Sequence, residues 1–281
     1  MDKAFWQAIV DSDYKVPEGQ SVRELTPELL TFLGSTDMTV RDPFGYTILT
    51  LWIVRDRQYT PEDLRAFRDA WVANLEKGIG ENGTDSVFLR SFSVLMLSIL
   101  VYRDNQESFF TRDEIKALVD KVLWYFAAEQ DLRGYTSDKG WAHSAAHTAD
   151  ALKFLARNPL SEADDHQRML DAMVDKLILP VTSIYMHGED ERLVSVVIDI
   201  LKRETISTDA WNTWIERFQT WKTSRPEPEG DDFKPATHAP WLNSKNFLRS
   251  LYFRLETTPD LPAASYGLKS TLIEVLKVFG Q

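Results

Sequence analysis

The sequence predicts an all-α protein: an array of antiparallel helical hairpins of the HEAT/armadillo-like α-solenoid kind, with a closed α/α toroid as the alternative topology. Three observations predict it. Apolar residues recur at i, i+3, i+4 and i+7 in LRAFRDAWVANL, IKALVDKVLWYF, MLDAMVDKLIL and LVSVVIDILKR, the period of one buried helix face. No series of segments alternates apolar and polar residues as half-buried strands do. Helix start signals recur at Thr60, Thr111, Ser161 and Ser207, roughly 50 residues apart and a little longer than the ~40–47 residues of HEAT and armadillo repeats.

The elements follow in order. The opening MDKAFWQAIVDSDYKVPEG lacks a basic segment followed by a long apolar run, so no secretory signal is expected. Its turn-rich part, residues 11–20, separates an N-terminal helix from the body. TPED at 60–63 offers a Thr cap, a Pro suited to the first helical position and two acids for the first turn. SFSVLMLSILVY at 91–102 is the most apolar segment; it is too short to span a bilayer and reads as a core helix. TRDE at 111–114 is a capping box, in which the Thr hydroxyl accepts from an orphan N–H and the Glu reaches back. SEAD at 161–164 and STDA at 207–210 are weaker versions. Trp211, Trp214, Phe218 and Trp221 have helical spacing and read as core. TSRPEPEGDDFKPATHAP, near 223–240, loses helical periodicity and reads as an irregular loop. Neither break divides the chain, so residues 1–281 are read as a single domain.

Composition narrows the function classes. The 281 residues suffice to bury a sizeable core. A net charge of −11 disfavours phosphate backbones and anionic membrane surfaces, so no nucleic-acid or membrane partner is expected. With no cysteine, disulfides, thiolate metal sites and Cys nucleophiles are excluded. A soluble, cytoplasmic protein is expected, and nothing in the sequence sets its oligomeric state. No P-loop, dinucleotide fingerprint or kinase set is present, and no cofactor is expected.

Two patterns raise candidate site residues. In the second helix of each repeat, Arg90, His143, Arg192 and Arg249 fall at about the same place. Cations near a helix start oppose its dipole unless paired. Either each pairs with a nearby acid such as Asp85 or Glu189, or the four line a groove for a protein or a small anionic ligand. The second pattern is RGYTSDKGWAHSAAHTADAL, residues 133–152, which holds two of the five histidines. On a helix over 140–157, His143, His147 and Asp150 share one stripe within about 60°, beside a small-residue face of Ala142, Ala145, Ala146 and Ala149. Such a stripe is a structural polar seam, an acid/base unit, or part of a metal site completed by His187, Glu189, Asp190 and Glu191. The spacing is similar to H-E-x-x-H but lacks its Glu, and Ser144 lacks a G-x-S-x-G context. Trp141 and Tyr135 are placed to rim a pocket.

The line EQDLRGYTSDKGWAHSAAHTADAL, with DSVFLRSFSVLML, GEDERL and NFLRSLYFRL, resembles the hallmark of a bacterial family catalogued as a domain of unknown function. The resemblance runs from about residue 20 to the end. It implies an all-α, soluble protein and marks Arg133, Gly134, Gly140, Trp141, His143, His147 and Asp150 as signature positions, with Glu189, Asp190 and Arg192 second. It assigns them no roles.

Two function classes follow. One is a helical-repeat binding module whose polar groove uses Arg90, Arg133, Trp141, Glu189, Asp190, Arg192 and Arg249. The other is a hydrolase using His143, His147 and Asp150, with or without a metal. The enzyme requires a deep pocket where the histidines meet the acids of GEDER; the module requires an open surface.

Overall fold

The computed structural model describes residues 1–224 and 234–280. It is all-α apart from one two-stranded hairpin. The chain divides into two compact units, Met1–Phe110 with Ala128–Ala151, and Thr111–Ala127 with Leu152–Gln281.

The first unit opens with α1 (Lys3–Asp11) and α2 (Val22–Phe32), the latter closed by a capping box between Ser21 and Glu24. A π-helical stretch, Val40–Ile48, follows and runs into α3 (Leu49–Val54). Nothing in the apolar periodicity announces that wider winding, which carries Pro43 and Gly45. Helix α1, α2 and α3 all pack against it. Next come α4 (Pro61–Asn74), capped by Thr60 as expected, and α5 (Ser86–Gln106), which pack on each other as a hairpin. The apolar helix is longer than the 91–102 run suggested. At 21 residues, α5 is long and apolar enough to cross a membrane by length and composition, and 83% of its most apolar window is buried, as in the core helix of a soluble protein. Strands β1 (Tyr135–Thr136) and β2 (Gly140–Trp141) form the hairpin, and the first turns of α7 (Ser144–Arg157) complete this unit.

The second unit contains α6 (Arg112–Ala128), whose Thr111–Glu114 capping box is formed as read, and the end of α7. Helix α8 (Ala163–Ile178) is capped by Glu162 rather than Ser161. The Ser161 hydroxyl turns back to donate to Leu155 O, leaving the Glu162 carboxylate to take the free N–H. Then come α9 (Glu189–Arg203), α10 (Thr208–Thr223), capped by Ser207, α11 (Pro235–Thr257) and α12 (Ala264–Gly280). Helix α10 packs on α12, and α11 on α8, α9 and α12. Trp211, Trp214 and Phe218 are core residues, and the Trp214 indole donates to Leu170 O at 2.8 Å. Trp221 is half-buried and stacks on Phe279.

The loop read near 223–240 needs correction at both ends. Residue 223 ends α10, and 235–240 are already helical; residues 225–233 lie outside the described residues. Pro235 sits at the first turn of α11, where its missing N–H costs nothing.

Candidate functional site

The segment 133–143 is a hairpin, not the start of a helix. Tyr135 faces Trp141 and Thr136 faces Gly140 in antiparallel register, and the pairing continues through Ala142 N–H to Gly134 O and His143 N–H to Arg133 O. Gly140 adopts φ +74, where a side chain is strained, and an added Cβ would lie 3.0 Å from Met38 Cβ and 3.2 Å from Arg41 Nη2. His143 then takes φ +53, a left-handed conformation uncommon outside glycine, which turns the chain from strand into α7. Its carbonyl accepts the first helical bond, from His147 N.

This corrects the shared stripe. His147 and Asp150 lie on α7, but His143 precedes the helix. The two rings are still neighbours, with centroids 5.6 Å apart. His143 is stacked under Trp141 at 4.6 Å, and Trp141 meets Tyr135 edge to face at 4.9 Å. Both histidines are 5% exposed, whereas Trp141 and Tyr135 are 38% and 46% exposed. The result is a column of rings from surface to interior, ending at Phe92, 5.1 Å from His147. Asp150 is half-buried.

Ser91 sets the chemistry of His147. Its fully buried hydroxyl donates to Ala142 O and lies 2.8 Å from His147 Nδ1. A hydroxyl has one proton, and a carbonyl can only accept. His147 therefore donates from Nδ1, and this hydrogen-bond network assigns the tautomer. A serine activated as a nucleophile would instead donate to the imidazole.

Two buried arginines hold the surroundings. Arg41, from the π-helical stretch, donates to Ser35 O at 2.8 Å and Lys139 O at 2.7 Å, with its guanidinium 4.3 Å over Phe88 and 4.8 Å over Phe92. Burial, opposed by the charges of Asp42 and Asp37, lowers the affinity of Arg41 for its proton. Arg90 does not open onto a groove: it is 0% exposed. It grips Glu129 with two bonds, Nε to Oε2 at 2.6 Å and Nη2 to Oε1 at 2.9 Å. Its Nη1 reaches Lys77 O, Gly78 O and Ser86 Oγ. The partner is Glu129, not the nearby Asp85, which instead pairs with Lys139. Arg133 clasps buried Asp131 and donates to Thr84 O.

The other candidates belong to the second unit. Glu189, at the start of α9, is buried and accepts from its own loop, His187 N–H, at 2.8 Å. Asp190 accepts from Ser250 at 2.7 Å. Arg192 is half-buried near the start of α9. Arg249 is exposed and lies well inside α11, because that helix begins at Pro235; it is not near a helix start as the repeat alignment implied. Tyr185 is buried, and its phenol is pushed well above its ordinary range by burial and then by the Glu189 charge. Among the described residues no three His, Asp or Glu side chains form a group able to hold a metal ion. A concavity of about 410 Å³ is lined by Glu256, Asp260 and Lys269, and another of about 350 Å³ by Phe5, Ile9 and Lys15. Neither includes His143, His147 or Asp150.

Sequence reasoning missed Arg41, Ser91, Glu129 and Asp131. Glu129 and Asp131 stand in the quoted line EQDLRG and drew no reading of their own. The signal for Arg41 is a cation before DPFG; its partner carbonyl at Lys139 is 98 positions away, beyond any local pattern.

The chain belongs to the family described as "Protein of unknown function (DUF2785)", which matches residues 75–253. The matched span takes in Arg90, Glu129, the hairpin and both histidines, but not Met38 or Arg41, and it is narrower than the resemblance read from residue 20 onward. Comparison with curated proteins and with solved structures gives no match.

Proposed function

We propose that this member of a family without an assigned activity is a helical-repeat binding module, and that it recognises a partner through the Tyr135–Trp141 pair. One observation carries the reading: two large aromatic side chains stand together, 46% and 38% exposed, on a hairpin held from behind. Isolated exposed aromatics are ordinary on protein surfaces. A paired set on an anchored backbone is different, because Trp and Tyr present large contact area at low entropic cost and dominate binding hot spots. The Arg41 bond to Lys139 O, the close fit at Gly140 and the His143 stack supply that anchoring. The near-regular helix starts at Thr60, Thr111, Glu162 and Ser207 support the repeat description.

The hydrolase reading rests on the 2.8 Å approach of Ser91 to His147. The proton on that hydroxyl points at Ala142 O, and Ser91 is fully buried. In this arrangement His143 and His147 serve as the inner support of the aromatic column.

Peptides selected from a random display library against the wild-type protein test this directly, beside a panel of fluorogenic ester and amide substrates. The selected peptides are expected to lose binding to Trp141→Ala while its Tm falls only slightly. No substrate is expected to turn over. Peptides that bind Trp141→Ala as well as wild type, or turnover abolished by His147→Ala, would overturn the proposal.

A further inference from the structure

We propose a second recognition surface, a cationic and aromatic stripe along α11 that binds an extended acidic peptide segment of a protein partner. It lies in the second unit and does not depend on the Trp141 reading. At about 100° per residue, His238, Trp241, Lys245, Arg249 and Tyr252 fall within roughly 80° of one another on the helix. None of the five is buried. The Lys245 ammonium sits 4.5 Å over the Trp241 ring, and the His238 ring lies 5.4 Å from the same indole.

The charge arrangement singles this face out. Lys245 and Arg249 are like charges one turn apart, a spacing that destabilises a helix. Burial, and then the charge of Arg249, hold the Lys245 ammonium below its ordinary value. Among the described residues neither side chain has a carboxylate within ion-pair distance. The chain carries 43 acidic residues against 32 basic ones, so a balancing acid was the easier composition. Elsewhere in this unit Arg112, Arg157, Arg168 and Arg217 each hold a carboxylate. Two acids on α9 and α11 are committed: Asp190 accepts from Ser250, and Glu256 pairs with Lys269 at 2.9 Å. Folding gains nothing from two cations without a carboxylate partner among the described residues, beside a half-buried indole, whereas an anionic partner gains both charge pairing and stacking area.

Shape selects the partner. From Trp241 to Tyr252 the stripe runs ~16 Å along the helix axis, the reach of about five residues of extended chain. None of the five residues lines either concavity, which suits a linear ligand rather than a small anion needing enclosure. A nucleic-acid strand would bring many more charges toward a protein of net charge −11 than two cations offset. A short peptide bearing carboxylates, with an apolar residue to cover Trp241, matches the charge, length and chemistry together.

The test is fluorescence anisotropy with a labelled peptide of about eight residues, alternating Glu and Ser around a central Tyr, against the full chain. A Lys-for-Glu peptide and a single-stranded RNA of equal charge serve as comparisons. Saturable binding of the acidic peptide alone is expected, weakening as salt rises. Lys245→Glu creates a favourable Glu–Arg pair with Arg249, so its Tm is expected to hold or rise while affinity falls by at least roughly tenfold. Trp241→Ala is expected to weaken binding severalfold. Equal affinity of wild type and Lys245→Glu, failure of the acidic peptide to saturate at about millimolar concentration, or tighter binding of the RNA would each overturn the proposal.

Discussion

Replacing Arg90 by Met tests whether this buried cation is a clasp or a ligand contact. The substitution preserves much of the side-chain volume and removes five hydrogen bonds: two to Glu129, two to the carbonyls of Lys77 and Gly78, and one to Ser86. Glu129 stays behind at 2% exposure, with the Asp131 N–H at 2.9 Å still donating to it. Removing one partner of a buried ion pair costs about 3–5 kcal/mol, because the remaining charge is stranded away from water. At ~2–4 °C per kcal/mol for chains of this size, Tm is expected to fall by roughly 6–20 °C. Urea unfolding followed by far-UV circular dichroism reads the same loss as a lower midpoint at unchanged slope. The double variant Arg90→Met, Glu129→Leu removes the stranded charge and is expected to recover most of the loss. It should stop about 1–3 kcal/mol short, since the Lys77 and Gly78 carbonyls lose their donor. A cost below about 1 kcal/mol for Arg90→Met would refute the clasp and restore the groove reading for this residue.

Three further outcomes follow from the same structure. Gly140→Ala is expected to cost about 1–3 kcal/mol in chemical denaturation, and more than Gly80→Ala; both have positive φ, but only at Gly140 does the new Cβ meet Met38 and Arg41, so equal costs would exclude that contact. Stability is expected to be level above pH 6.5 and to fall as pH drops from 6.5 through the lower folded pKa of His166. Burial, then the Arg203 charge, keep that ring neutral, with Nε2 donating to Ala156 O and Nδ1 accepting from Thr205. The unfolded chain takes the proton first, so the slope is at most about 1.4 kcal/mol per pH unit, and His166→Asn should remove this part of it in unfolding curves at matched pH. Lys245→Glu is expected to stabilise the protein by a few tenths of a kcal/mol, about 0.2–0.5, measured as a raised urea midpoint.

The parts of the fold that were legible are those decided locally. Thr60, Thr111 and Ser207 cap the helices they were expected to cap because a hydroxyl and the next turn settle the matter within four residues. Trp211, Trp214 and Phe218 follow one helix face into the core for the same reason. What was not legible depends on distant partners. The 133–143 segment pairs as a hairpin because Arg41 and Met38 close over Gly140, and neither lies near it in the chain. That pairing moves His143 off the helix and dissolves the stripe, although the two rings remain close. Arg249 was misplaced because Pro235 and Pro240 look like breakers. One sits where a helix needs no N–H, and the other is buried in a helix that neighbouring elements hold in place.

Four arginines share a second habit, and it accounts for Arg90 and Arg133, which were expected in a groove. Arg41 holds the carbonyls of Ser35 and Lys139, Arg90 those of Lys77 and Gly78, Arg133 that of Thr84, and Arg203 those of Ala156, Asn158 and Ser161. Each caught carbonyl lies at or beside the end of an element, where the backbone has lost its regular partner. A guanidinium suits this task because its donors form a rigid planar fork that reaches two or three acceptors at once, which a lysine ammonium does not reproduce. In a chain without cysteine, no disulfide can tie such segments down. Arg41 and Arg90, early in their helices, and Arg133 and Arg203, outside a helix and at the end of one, do so by hydrogen bonding, and for the first two those bonds offset the cost of setting a cation against the helix dipole. A cation in a regular position is therefore informative about binding only when, like Arg249 and Lys245, it has no carbonyl or carboxylate to hold among the described residues.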